Sequence, residues 1–478
     1  FGADADTTLT HTDGSGLTLN STNKIMFNDA SQFIQGSSAT VLSIGATNEI
    51  DLTATEVELN VTTFDVNGAM TISGDTTLED GADLITASAG TSNVRVGVNA
   101  GNSIESGGNY NVVVGDGAGT TISTGDHNVA VGFEAGKAIS TGRNNVAIGY
   151  QALLLEDANG DNVAIGYQSL RTLNAGADAF NTAVGYFSGT SLNTGTQNTI
   201  IGAEAGTSLT TGTRNELIGY QAGDALVGGQ QNVAIGRSSL TTDTEGQRSV
   251  AIGTGALQTQ NFSSATQTYN TAVGHSAGIS VTTGTNDTLI GGLAGDALTT
   301  GSSNVAVGQS ALGAETGGGA NVAVGKSTLA AQNVNSAGYN TAVGHEAGND
   351  VTSGIYNTLI GALAGDALTD ADTNVAIGAS SLSADTKGSK STAVGHSALE
   401  AQNFTSSTFS HNTAIGADSG KAISTGIGNT ILGSSAGSVL TTGLRNTLLG
   451  YNAGLALATS NSDNTFMGQG AGAAITSG

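Results

Sequence analysis

The chain contains no cysteine, no proline and no tryptophan, and it is short of both positive charge and aromatic rings. Each absence excludes something. Without cysteine there is no disulfide framework and no thiolate metal site. Without a run of about eighteen apolar residues, nothing here crosses a bilayer as a helix. Thirteen Lys and Arg stand against 38 Asp and Glu, a formal net charge of −25. Nucleic acids and anionic membrane surfaces are held by basic side chains, so neither is an expected partner and no membrane insertion is expected. With aromatics at 4%, the large side chains of a thick globular core are scarce. Small and β-branched residues take their place, which suits thin, stacked β-structure. The chain starts at Phe1 without a signal peptide and stops inside a repeat, so it reads as part of a longer or processed protein.

What is abundant is glycine, 73 residues, and much of it falls at a fixed interval. "NELIG" at 215–219 and "NVAIG" at 232–236 are seventeen residues apart, and the phrase recurs to the C-terminus. With the final Gly of each phrase as reference, there are twenty-one units from Gly115 to Gly468, and fifteen of the twenty steps are 17 residues. Four positions earlier stands Asn, except at Ser249, Asp287 and Ser391. The residue just before the Gly is always aliphatic or Met, and three residues after it comes Ala, Ser or Thr. A second Gly is usual ten residues after the first, as in Gly125 and Gly142. A five-residue phrase rich in β-branched residues is a strand, and Asn and Gly tolerate the positive φ of corners. The expectation is therefore an all-β, 17-residue-repeat parallel β-solenoid of about 21 coils. Each coil should have two short strands and two turns, with the Asn side chains stacked as an amide ladder.

A second rhythm lies on the first. Four residues after the reference Gly comes either Gly or Leu, and the leucines come in pairs of coils. Each 19- or 21-residue step, to Gly185, Gly274, Gly344 and Gly416, follows the second Leu of a pair. The additional residues, such as "NFSSATQTY" before Asn270, predict four elongated corners on one face. The few aliphatic side chains of one coil return less free energy than ordering its backbone costs, so burial between chains and a homo-oligomer are expected.

The first hundred residues lack this frame. Residues 1–73 hold alternating stretches, "GLTLN", "KIMFN", "TVLSIG" and "EIDLTATEVELNVTTFDVNG". In the last, Ile50, Leu52, Val57, Leu59, Val61, Phe64 and Val66 predict strand with one buried face. A fibre shaft and a β-sandwich both fit this pattern. Residues 74–107 read as a polar connector and the approach to the repeats, with an outlying copy, "NVRVG", at 93–97. Residues 108–478 form the repeat domain.

The units "NNVAIGYQAL", "NTAVGHSAG" and "NTLIGALAG" resemble the head repeats of trimeric autotransporter adhesins, with their S-V-A-I-G-x-x-A/S-x-A-x-G pattern. That resemblance covers about residues 108–478 and implies a β-roll in which three chains pack around one axis. The period here is longer than that family's. The text from "DTTLTHTDGSGLTLN" to "EIDLTATEVELN" resembles bacteriophage tail-fibre proteins, especially marine ones, which often carry "NVAIGYQAL"-type repeats. Together the resemblances imply a structural tail fibre: a homotrimer in a virion, joined to other virion or fibre proteins and meeting a host glycan or protein receptor. A bacterial surface adhesin is the alternative. A polysaccharide-degrading tailspike is less favoured, because the acids are scattered over turn positions instead of clustered in a groove.

No catalytic, metal or cofactor site emerges. His275, His345 and His396 share one repeat position but lie three or four coils apart, too far to share a metal within one chain. "GDGAGT" at 115–120 is explained by the repeat and leads into no helix. No cofactor is expected and the chain is not expected to be an enzyme. The candidate contact residues are the corner aromatics Phe180, Phe262, Tyr269, Tyr339, Phe404 and Phe409, expected to be exposed. The competing reading is that they pin the long loops to the roll.

Overall fold

The computed structural model of the chain describes strands between residues 9 and 45, the positions 50, 52 and 66, and residues 90–457 and 460–475. It divides into two units, Phe1–Asp83 and Leu84–Gly478. All elements among the described residues are β, and none is a helix.

In the first unit, β1 (Leu9–Thr12) and β2 (Gly16–Leu19) pair antiparallel. β3 (Lys24–Phe27), β4 (Asp29–Ser38) and β5 (Val41–Gly45) form an antiparallel meander. Its register sets Ile25 opposite Ile34 and Ile34 opposite Ile44, and all three side chains are exposed. Ile50, Leu52 and Val66 are exposed as well, which corrects the expected buried face at those three positions. Val57, Leu59, Val61 and Phe64, and the connector from 74 to 89, lie outside the described residues.

The second unit is a parallel β-solenoid. It has 22 three-residue strands, from β6 (Val94–Val96) to Thr465–Met467. Each pairs in parallel, residue for residue, with the strand one coil later: Val146 to Val163, for example, then Val163 to Thr182. No register joins the last strand to the first, so the ladder is open-ended. The "NVRVG" copy supplies the first coil, one more than the twenty-one counted from the phrase. The expected second strand per coil is absent from most coils. Among the described residues only the two 21-residue corners carry a further ladder, Gly246–Gln247 with Thr266–Gln267 and Gly388–Ser389 with Thr408–Phe409. Elsewhere single backbone bonds tie turn to turn, such as Thr210 N–H to Val227 O at 2.9 Å.

The reference glycines are fixed by contact as well as conformation. Gly219 has φ +137°, and a Cβ there would lie 2.6 Å from the carbonyl oxygen of Gly236 in the next coil. Each coil's glycine thus leaves room for the carbonyl of the one stacked on it. The asparagines form the expected amide ladder, but they do not take the positive φ expected of them. The left-handed backbone falls on the residue before each, as at Arg214 and Gln231, while the Asn itself is buried. Asn198 Oδ1 accepts from the backbone N–H of Asn215 at 3.0 Å and from its Nδ2 at 3.1 Å, and Asn215 Nδ2 donates to Gly229 O at 2.9 Å. Asn is selected because it donates and accepts along the stack at once.

Within each coil the core is filled by an exchange. The middle strand residue, such as Ala130, Leu217 or Ala251, faces inward and is fully buried. Where the fourth position after the reference Gly is Gly, the seventh is Ile, Leu or Val and is buried along the column, apart from Ile475 in the last coil. A Cβ on Gly119 would meet Ile122 Cδ1 at 2.6 Å, and one on Gly223 would meet Leu226 Cδ1 at 2.9 Å. Where the fourth position is Leu, that leucine fills the space from a left-handed backbone, as at Leu240 (φ 52°) and Leu257 (φ 47°). The seventh position is then polar in every Leu coil but one, where it is Leu173.

Candidate functional site

The seventh position of the Leu coils explains how the long corners are held. In the first Leu coil of each pair it is Glu156, Asp243, Glu315 or Asp385, all fully buried. In the second it is Leu173, Gln260, Gln332 or Gln402. Asp243 Oδ1 accepts from the backbone N–H groups of Gly246 and Phe262, both at 3.1 Å, and Oδ2 accepts from Gln260 Nε2 at 2.6 Å. Asp385 repeats this with Gly388, Phe404 and Gln402. Glu315 receives Gly318, Val334 and Gln332. Glu156 receives the backbone and side-chain amides of Asn159. Burial pushes the Asp243 carboxyl up from its ordinary value, against the lowering effect of Gln260 and the backbone donors. These acids cap corner backbone that the bulge takes out of the coil-to-coil ladder.

The same glutamines account for two exceptions in the Asn column. Before each 21-residue corner the rung is Ser, and Gln enters the space that an amide would fill. Gln260 Nε2 donates to Ser249 Oγ at 2.8 Å, and its Oε1 accepts from Asn270 Nδ2 at 2.9 Å. Gln402 bridges Ser391 and Asn412 in the same way. The third exception, Asp287, keeps its place by accepting from Asn304, but burial pushes its carboxyl up to about 7.

The six candidate aromatics divide. Phe180 (57% exposed), Tyr269 (49%), Tyr339 (52%) and Phe409 (60%) face outward. Phe262 (8%) and Phe404 (7%) are buried, which corrects their expected exposure. Each donates its own backbone N–H to a buried Asp, and so it seals the loop onto the roll. The exposed four are not brought together. Successive corners lie four or five coils apart, roughly 20 Å at about 4.8 Å per coil. Two are braced locally: Arg248 Nη1 donates to Tyr269 Oη, and Lys390 Nζ lies 3.9 Å from the Phe409 ring centroid. Tyr339 stacks on Tyr356 at 5.2 Å.

Two continuous surface features were only partly legible in the residues. The first is aliphatic. The two outer residues of every strand face away from the core, and none of them is buried. Over the 22 strands one outer column is Val or Thr apart from Glu216, and the other is Val, Ile, Leu or Met. Ile148, Ile201, Ile290, Ile360 and Leu432 are more than a third exposed. The second is aromatic. One residue after the reference Gly, Phe133, Tyr150, Tyr167 and Tyr186 occupy four successive coils and stack at 5.3, 5.0 and 5.4 Å between centroids. The shared slot of the three tyrosines shows in the repeat; their stacking and the part of Phe133 do not.

Among the described residues no group of three or more His, Cys, Asp or Glu side chains is placed to hold a metal ion. No helix among them is long and apolar enough to cross a membrane. The fold and these surfaces define the class: a repeat protein with a parallel β-solenoid. Comparison with protein-family models, curated proteins and solved structures finds no match for the chain.

Proposed function

We propose that the chain is a structural fibre protein, a homotrimeric phage tail fibre that spans distance and carries a host-contact surface. The observation that supports it most is the uninterrupted outer face of the sheet. One charge in two 22-residue columns is a poor surface to leave in water and a good one to bury against copies of itself. The Ile25, Ile34 and Ile44 row in the first unit is a second exposed aliphatic strip of the same kind. The resemblance of residues 6–60 to fibre proteins favours a virion setting. A bacterial trimeric surface adhesin is the second reading, favoured by the likeness of the repeats to adhesin heads.

Light scattering on the full chain tests the assembly. Three times 46.8 kDa is expected, and a folded monomer of that mass would overturn the trimer. Ile201→Asp with Ile218→Asp places charge in the middle of the outer column and is expected to release monomers while the β-signal in circular dichroism persists. Attachment is tested by adding the purified chain to host cells before phage, where competition for adsorption is expected; unchanged adsorption would count against the tail-fibre role.

A further inference from the structure

The columns that build the solenoid recur in every coil, but the column just after the reference glycine is chemically free. It accepts Asp116, Ala203, Arg237, Thr254, Lys326 and Ser434, so the fold makes no demand on it. In a chain with 4% aromatics, four consecutive coils nevertheless place only rings there. Phe133, Tyr150, Tyr167 and Tyr186 are all exposed, with interplanar angles of 12°, 8° and 24°. Phe187 stands edge-on to Tyr167 and Tyr186 and closes one end. Near-parallel rings about 5 Å apart turn their faces mostly to one another, so the strip presents the ring edges and the margins of the faces outward. Beside the strip runs a polar row. Gln151 Nε2 donates to Glu134 Oε2 at 2.8 Å, and Gln168 Nε2 donates to Gln151 Oε1 at 2.9 Å.

A pyranose has an apolar C–H face that packs on rings and a rim of hydroxyls that needs donors and acceptors. The strip and the row beside it supply both in a straight line. We infer that this surface binds an extended, neutral, β-linked polysaccharide lying along the solenoid axis. The sugar C–H faces rest on Phe133, Tyr150, Tyr167 and Tyr186, and the hydroxyls meet Glu134, Gln151 and Gln168. The net charge of −25 selects the neutral class, because uronic or sulfated chains are repelled before contact. The straightness of the strip selects an extended chain over a coiled one. This assignment deepens the surface-contact reading and rests on it.

The test is calorimetric titration of the full chain with cellohexaose, with chitohexaose and with an alginate hexasaccharide as the anionic control. Binding of a neutral hexamer is expected, together with at least a tenfold loss of affinity in Tyr150→Ser/Tyr167→Ser. Ser434 already occupies this column, so thermal unfolding and particle mass are expected to stay the same. Tyr220→Ser/Tyr451→Ser removes two rings of the same column that have no aromatic neighbour in it, and is expected to bind as the parent does. Absence of heat with both neutral hexamers, preference for alginate, or equal loss in both double variants overturns the assignment. So does disassembly of Tyr150→Ser/Tyr167→Ser, which would make the strip a structural contact. Sugar binding without attachment to cells sinks the attachment role and leaves the strip. Attachment that survives Tyr150→Ser/Tyr167→Ser does the reverse.

Discussion

Asp287 Oδ1 accepts two hydrogen bonds from Asn304, from the backbone N–H at 2.8 Å and from Nδ2 at 3.2 Å. Its other oxygen, Oδ2, is buried without a partner. In neighbouring rungs that place belongs to an amide nitrogen, as where Asn270 Nδ2 donates to Gly284 O at 2.7 Å. A carboxylate cannot donate there, and a protonated carboxyl can.

The first prediction follows from that mismatch. The Asp287 carboxyl is raised by burial from 3.8 to about 7. Between those values the folded chain keeps a proton that the unfolded chain releases. Stability from this group is therefore complete below the ordinary Asp value and is lost as pH rises through about 7, by on the order of 4 kcal/mol. Asp287→Asn restores the amide and should raise stability at pH 8 by about 2–4 kcal/mol, with much less effect at pH 4. Denaturant unfolding at both pH values checks this; a variant no more stable than the parent at pH 8 would contradict it.

The second concerns the glycine column. Gly219→Ala forces a Cβ against Gly236 O from a backbone at φ +137°, and should cost about 2–4 kcal/mol. Gly292→Ala meets nothing within 4 Å, and should stay within about 0.5 kcal/mol of the parent. Thermal unfolding of the two variants side by side distinguishes them. Equal melting temperatures would refute the close-approach argument.

The core exchange gives the third. Leu240→Gly should destabilise by about 2–5 kcal/mol through the cavity it leaves. Asp243→Leu should destabilise as well, because the N–H groups of Gly246 and Phe262 lose their acceptor. The double variant has the side chains of a Gly-type coil, Gly then Leu, and should cost less than the sum of the singles by more than about 1 kcal/mol. Simple additivity would mean that the two positions do not share one space.

The corner aromatics give the fourth. Phe262→Ala should lower stability by about 3–5 kcal/mol because the ring is buried. Tyr269→Ala removes an exposed ring braced by Arg248, and should cost no more than about 1 kcal/mol. Urea midpoints check both, and the reverse order would show that the loop is held from the outside.

The features legible in the residues are those that recur with the coil. Gly219 and Gly236, or Asn215 and Asn232, must lie on one another once the chain closes every seventeen residues. The solenoid, the glycine column, the amide ladder and the four long corners could therefore be read from spacing. The single strand per coil could not. The turns on the other sides are held by isolated backbone bonds that leave no mark in composition. The split between Phe262 and Tyr269 was equally hidden, because both are aromatics in the same nine-residue corner, and only Asp243, one coil away, fixes which is drawn in.

The sequence by itself determined the period, and through it which residues become neighbours along the axis, because stacking at constant register turns a spacing into a contact. Only the tertiary structure decided which way each neighbour faces. In "NVAIG" the three residues between Asn and Gly are all apolar, and alternation along a strand allows either the middle one or the outer pair to go inside. Closure of the coil buries Ala234 and turns Val233 and Ile235 outward. That outcome comes from the narrow space between one wall of the coil and the Leu or Gly opposite, a distance no single coil's residues record.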